Sequence, residues 1–217
     1  MATNAVVKDT HIVVGGLSYF RGEAEGIKLG TFGIKRIPLF GENFLEAQDI
    51  IPASKLVVKN PITFGIDFTS SNDTAIKAGL KVAGSSLSVD AALKGLHSGS
   101  LKLMKFEMNL EDVTRAVNAL PNVLDELRSF GGRARVAHAI FVVLEAQLAD
   151  TFTRGGTISF ATNKAGELNA TVSGQASGTI TVTLQKGVTF AYLLCEPHWG
   201  PQQKSVELFQ TDQWGPA

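Results

Sequence analysis

Histidine, cysteine and serine are the side chains in this sequence best suited to metal binding, proton transfer or nucleophilic attack, and their spacing supports none of the three. His11, His97, His138 and His198 lie far apart, and none has a second ligand at the short spacing that metal sites use. His138 stands in a mostly apolar alternating run, which predicts an interior histidine with its hydrogen bonds satisfied. Cys195 follows Leu193 and Leu194 with no basic neighbour, the setting of a buried, inert thiol. Ser85-Ser86 and Ser98-Gly99-Ser100 read as turns, and no G-x-S-x-G elbow occurs. Gly26, Gly30 and Gly33 miss the dinucleotide fingerprint and lead into no helical pattern, so they predict bends or bulges in a strand. The expectation is a protein without catalytic residues, metal or cofactor.

Composition narrows the partners. The chain has 217 residues, 44% hydrophobic and 18% charged, enough for a full core. Lysine plus arginine and aspartate plus glutamate number 20 each. A net charge of zero argues against nucleic acid and denies the protein a general attraction to anionic membranes, leaving room only for a local patch. One cysteine precludes an internal disulfide and fits a reducing compartment. The start shows no basic segment followed by a long apolar one, and runs such as 137–144 are too short for a membrane helix. A cytoplasmic protein is expected.

The elements that would position these residues are mostly strands. Ile62, Phe64, Ile66 and Phe68 share one parity, followed by Ile76, Leu80 and Val82, then Leu87, Val89 and Leu93, then Met104 to Leu110. Turn-forming Gly, Ser, Asn and Asp separate them, which predicts an antiparallel meander over 62–110. Asn109 to Phe130 switches to helical spacing and predicts a helical pair or one kinked helix at Pro121. From Arg133 to Phe152 a strand apolar on both faces predicts a central position. A second array carries Ile158 and Phe160, then Leu168 to Val172, then Ile180, Val182 and Leu184, with turns at 154–156, 163–166, 173–178 and 186–187. Before these, 1–10 reads as a loose end, His11–Val14 as an edge strand, 26–40 as alternating, and 42–51 as a short helix stopped by Pro52. Residues 196–217 read as an irregular tail anchored by Trp199, Phe209 and Trp214. The fold expected is α+β: a large twisted antiparallel sheet with long β-hairpins and a short helical segment packed on it. It forms one β-rich domain over 1–195, with a tail, 196–217, that is a candidate regulatory segment.

Two readings of the long ribbons follow. As a sheet face they belong to a non-catalytic binding or self-assembling module. As convertible hairpins they suit a membrane, where a spanning strand needs about 9–11 alternating residues. The order of elements, with 127–144 and Val182-Thr-Leu-Gln-Lys-Gly-Val-Thr-Phe-Ala-Tyr192, resembles the pore-forming domain of the gasdermins over about residues 50–194. That resemblance implies a protein soluble until activated, for instance by a protease, that moves from cytoplasm to membrane lipid. There it would oligomerise with copies of itself and form a pore in cell death or defence. It implies insertion through Ile62, Phe64, Ile66, Phe68, Ile76, Leu80, Val82, Leu87, Val89, Leu93, Ile158, Phe160, Ile180, Val182 and Leu184. It also implies autoinhibition through Trp199, Phe209 and Trp214. Two features depart from the family: its membrane-binding surface is basic, whereas this chain is neutral, and the N-terminal cysteine that bacterial relatives lipidate is absent.

Overall fold

A computed structural model describes residues 4–39, 42–154, 156–175, 178–184 and 187–215. In chain order the strands β1 (Asn4–Val7), β2 (His11–Val14), β3 (Leu17–Phe20), β4 (Thr31–Arg36), β5 (Phe44–Ile50) and β6 (Ile62–Ile66) come first. Two helices, α1 (Asp73–Lys77) and α2 (Val89–Ser98), lead to β7 (Leu101–Glu107). Helices α3 (Leu110–Asn118) and α4 (Pro121–Ser129) precede β8 (Ala134–Glu145) and α5 (Ala146–Thr153). Strands β9 (Thr157–Thr162), β10 (Leu168–Gln175), β11 (Gly178–Leu184), β12 (Thr189–Trp199) and β13 (Val206–Asp212) complete the chain.

The run from Ala134 to Leu144 has no polar face, and every one of its residues is buried. A strand of that kind must be covered on both sides. Along one edge β8 pairs with β7 from Ala139 to Glu145 and with β4 from Ala134 to Val136. Its other edge belongs to β12. The far edge of β12 is divided in the same way: Tyr192 pairs with Phe20 of β3, and Leu194–Trp199 pair with β13. The strands β12, β3, β2, β1, β6, β7 and β8 therefore close into a barrel-like ring, in which β1 and β6 are parallel and the other pairs antiparallel. The β4–β5 hairpin and β13 project from it as two wings.

Side chains from β1, β2, β3, β7, β8 and β12 form one apolar cluster, including Ile12, Tyr19, Leu103 and Phe141, with Phe64 and Ile66 of β6 against it. The ring therefore encloses packed side chains. Helices α1 and α2 add Ile76, Leu93 and Leu96 to this cluster. The second cluster covers the other face, where Phe106, Ile140 and Val142 meet α3, α4 and α5. It also receives Phe160, Leu168, Ala170, Val172, Val182 and Leu184 from the separate sheet β11–β10–β9.

The sheet is large and mainly antiparallel with helices packed on it, as expected, and differs in detail from the twisted sheet expected in that it closes on itself. The meander over 62–110 is replaced by β6, two helices and β7. Ser88 caps α2 by accepting a hydrogen bond from Ala91 N, and Gly99 ends it at φ 76°. Val89, Leu93 and Leu96 then share a helical stripe, and burying each leucine contributes about 1.5–3 kcal/mol. The expected helix over 42–51 is strand β5, because pairing with β4 outweighs its weak helical pattern. Residues 4–7, expected to be loose, form β1, and β2 lies inside the ring between β1 and β3, not at an edge. The strand expected to reach Phe152 ends at Glu145, where α5 begins. Residues 196–212 are more regular than expected, continuing β12 to Trp199 and adding β13. Two helices meeting at Pro121, the central β8 and the strands β9 to β11 match the expectation. The turn residues 155, 176, 177, 185 and 186 lie outside the described residues.

Tyr192 ties β12 to the β4–β5 wing. Its buried hydroxyl donates to Gly22 O at 2.7 Å and accepts from Leu45 N at 3.0 Å. Replacing it with phenylalanine strands both partners, at a cost of about 1–3 kcal/mol. The thermal midpoint of Y192F should fall by about 3–10 °C. An unchanged midpoint would show that water replaces the hydroxyl.

Candidate membrane-docking site

The β4–β5 hairpin is shaped by two glycines. Gly30, at φ 83°, donates to Ala137 O at 2.9 Å, and Gly33 marks a register shift against β5, the bulge its position suggests. The hairpin carries Ile37-Pro38-Leu39 out beyond the pairing. Leu39 is 96% exposed and Ile37 54%, the first and third most exposed of the large exposed apolar residues. Isolated exposed apolar residues are ordinary; adjacent ones at a tip with cations beside them suit an anionic bilayer.

The cations come from two elements. Lys35 and Arg36 end β4, while Arg133 and Arg135 follow α4, where Gly131 turns the chain at φ 60° into β8. With Phe44 and Gly132 they line an open cavity of about 620 Å³. Its floor is already neutralised. Asp212 of β13 accepts from Lys35 at 2.8 Å and from Arg135 Nε at 2.5 Å, and Glu196 pairs with Arg135 at 2.7 Å. At the rim Arg36 pairs with Glu46, holding that carboxyl below its usual range. Arg133 is exposed and has no ion pair among the described residues. Arg133 also helps lower the Glu46 carboxyl, and the cavity thus offers, among the described residues, a cation outside any ion pair on the same lining as the exposed Ile37.

The residues singled out for insertion are spread across the molecule. Ile62, Leu87 and Val89 are exposed. Phe64, Ile66 and Phe68 lie half-buried against the cluster inside the ring, and Ile76, Leu80, Val82 and Leu93 are buried within it. Ile76 lies on α1, and Val89 and Leu93 on α2, so these are not strand positions in this structure. Phe160, Val182 and Leu184 are buried in the other cluster, with Ile158 and Ile180 packed against it.

The tail anchors do meet the body. Phe209 is buried and Trp199 packs on the core. The Trp214 ring stacks on His11 at 4.0 Å, and the Trp214 backbone N–H donates to Ser18 O at 2.9 Å. Gln213 accepts from Ser18 N, and Gly215 O accepts from Asn43, so residues 213–215 strap β2 and β3 to the β4–β5 tip.

The four histidines stay apart, and no group of three or more metal-ligating side chains converges among the described residues. Burial pushes the Cys195 thiol well above its ordinary range, which leaves it inert. His138 is interior, but neither ring nitrogen forms a hydrogen bond of good geometry among the described residues, the Met108 backbone being the one such group acting on it, which falls short of the satisfied histidine expected. Ile37, Leu39 and Arg133 were missed as a site because each looks ordinary in sequence; the only local signal is Lys-Arg-Ile-Pro-Leu at 35–39. No helix among the described residues is long and apolar enough to cross a membrane. No family model, no curated protein and no solved structure matches the chain.

Proposed function

We propose that this protein acts on anionic membranes, docking through the β4–β5 tip and forming a pore there, as the gasdermin resemblance implies. The observation that carries this reading is the exposed Leu39 and Ile37 on one hairpin tip, with Ile37 sharing a cavity with Arg133, which has no ion pair among the described residues. Burying each apolar side chain in lipid contributes about 1.5–3 kcal/mol. A basic residue near an anionic surface adds about 1 kcal/mol. The sum resembles one myristoyl chain, which binds reversibly with a constant near ~10⁴ M⁻¹. One copy would come and go; several copies joined together would stay. Oligomerisation is therefore a requirement of this reading.

The β9–β11 sheet is the segment best suited to leave the body. Its apolar residues face the second cluster, while Thr171 and Thr181 meet on the other side at 2.9 Å. Its strands have 6, 8 and 7 residues, so a spanning strand of about 9–11 would have to recruit the flanking turns. A soluble small anion is a weaker occupant of the tip cavity, because Asp212 and Glu196 already neutralise its floor.

Cosedimentation and dye release with phosphatidylcholine vesicles, with and without phosphatidylserine, test both steps. The wild-type chain should bind the anionic vesicles and release dye. The double variant I37S/L39S should bind about 100-fold more weakly, and R133E should lose the preference for phosphatidylserine. Absence of wild-type binding removes the membrane reading and leaves the binding-module one. Binding without release keeps the docking and removes the pore.

A further inference from the structure

His138 occupies the one point where three strand pairings change together. On β12, Leu193 faces Ala139 and Leu194 faces Ala137, so His138 has no residue opposite it and forms a bulge. On the other edge of β8, pairing with β7 ends at Ala139 and pairing with β4 begins at Val136. Met108 N donates to the His138 carbonyl at 2.8 Å; the imidazole is 2% exposed, the Met108 backbone is the one hydrogen-bonding group acting on it, and neither nitrogen forms a hydrogen bond of good geometry among the described residues. A buried polar side chain without partners is costly, and a core could fill this position with leucine more cheaply.

We propose that His138 is an acid-sensitive pin at the junction of ring and wings, whose protonation loosens β8 from β12 and β7. The charged groups acting on the imidazole are Glu107 and Lys105 of β7 and Lys59 before β6. Glu107 is already paired with both lysines, so an imidazolium would find no free counter-ion. Burial is the largest cause of its displacement, to about 4 from an ordinary 6.5. The folded imidazole thus stays neutral where an unpinned one takes a proton. The neutral pin holds fully above pH 6.5, and its hold is lost as pH falls from 6.5 towards 4. Proton linkage makes the opening equilibrium about 20-fold more favourable at pH 5 than at pH 7. This inference does not depend on the membrane reading.

Amide hydrogen exchange of the full chain, corrected for intrinsic rates, measures it. Between pH 7 and pH 5 the amides around Ala139, Leu193 and Leu194 should lose about 20-fold of their protection in the wild type. His138→Leu should abolish that loss, although His11, whose pKa is lowered mainly by burial, remains. Equal loss in both proteins overturns the proposal. Should H138L not fold, NMR titration of the wild-type histidine side chains decides: titration of His138 near 4 supports the pin, and titration near 6.5 overturns it.

Discussion

Replacing Asp212 with alanine should lower the unfolding free energy by about 3–5 kcal/mol, a third or more of what a domain typically has. Its carboxylate is 13% exposed and lies between Lys35, 8% exposed, and Arg135, 11% exposed. Removing it leaves two buried cations facing each other. Arg135 keeps Glu196 and the carbonyls of Gly132 and Ala134. Lys35 keeps only the Phe20 ring at 5.4 Å among the contacts described. The double variant K35M/D212L removes both members of one pair and should recover most of the loss, since an apolar replacement avoids the desolvation that the ions suffer. Urea denaturation of the two proteins gives the comparison directly. A loss below about 1 kcal/mol for D212A would mean that water enters the cluster and screens it.

Gly33→Ala is expected to be nearly as damaging for a purely steric reason. A Cβ at Gly33 would lie 2.0 Å from Glu46 O and 3.1 Å from Gln48 N, both backbone atoms of β5. No rotamer change relieves that clash; the two strands must separate at the bulge. The cost should reach about 3 kcal/mol, at the upper end for overpacking. Because the same hairpin carries Ile37 and Leu39, G33A should also lose vesicle binding. Gly132→Ala is the control, as its Cβ would meet nothing within 4 Å. Equal thermal midpoints for the two variants would show that the β4–β5 bulge yields readily.

What sequence periodicity can reveal depends on whether a segment fits one period or two. The β8 run is apolar on both faces, and the stripes of α3 and α4 fit only helical spacing, so both were legible. Leu87, Val89, Ala91 and Leu93 fit period 2, while Val89, Leu93 and Leu96 equally fit a helix. The cap residues Ser88 and Gly99 distinguish the two, but in sequence Gly99 reads as a turn residue and Ser88 as a polar-face position of the alternating run. Phe44–Ile50 holds Glu46, Ala47 and Gln48, good helix formers whose preference yields to a partner strand. Chain closure was invisible for another reason. The contacts that build the tip's floor join Asp212 to residues 177 and 77 positions away, and no local pattern encodes them. His138 was legible as interior, but its place at the slip between β8 and β12 is set by long-range pairing that no local pattern encodes.

The divided edges of β8 and β12 also set an order of events during synthesis. Until β12 emerges, β3 has no neighbour beyond β2, and one edge of β8 stands open except where residues 82–83 bridge Val143. At about 5–20 residues per second, roughly 10–30 s separate the appearance of Phe20 from that of Tyr192, which closes the ring. During that interval the nascent chain carries apolar strands with unpaired backbone, the condition that invites edge-to-edge association. A ribosome that stalls before Thr189 would therefore release an adhesive fragment, whereas one that finishes β12 releases a chain able to close its own seam.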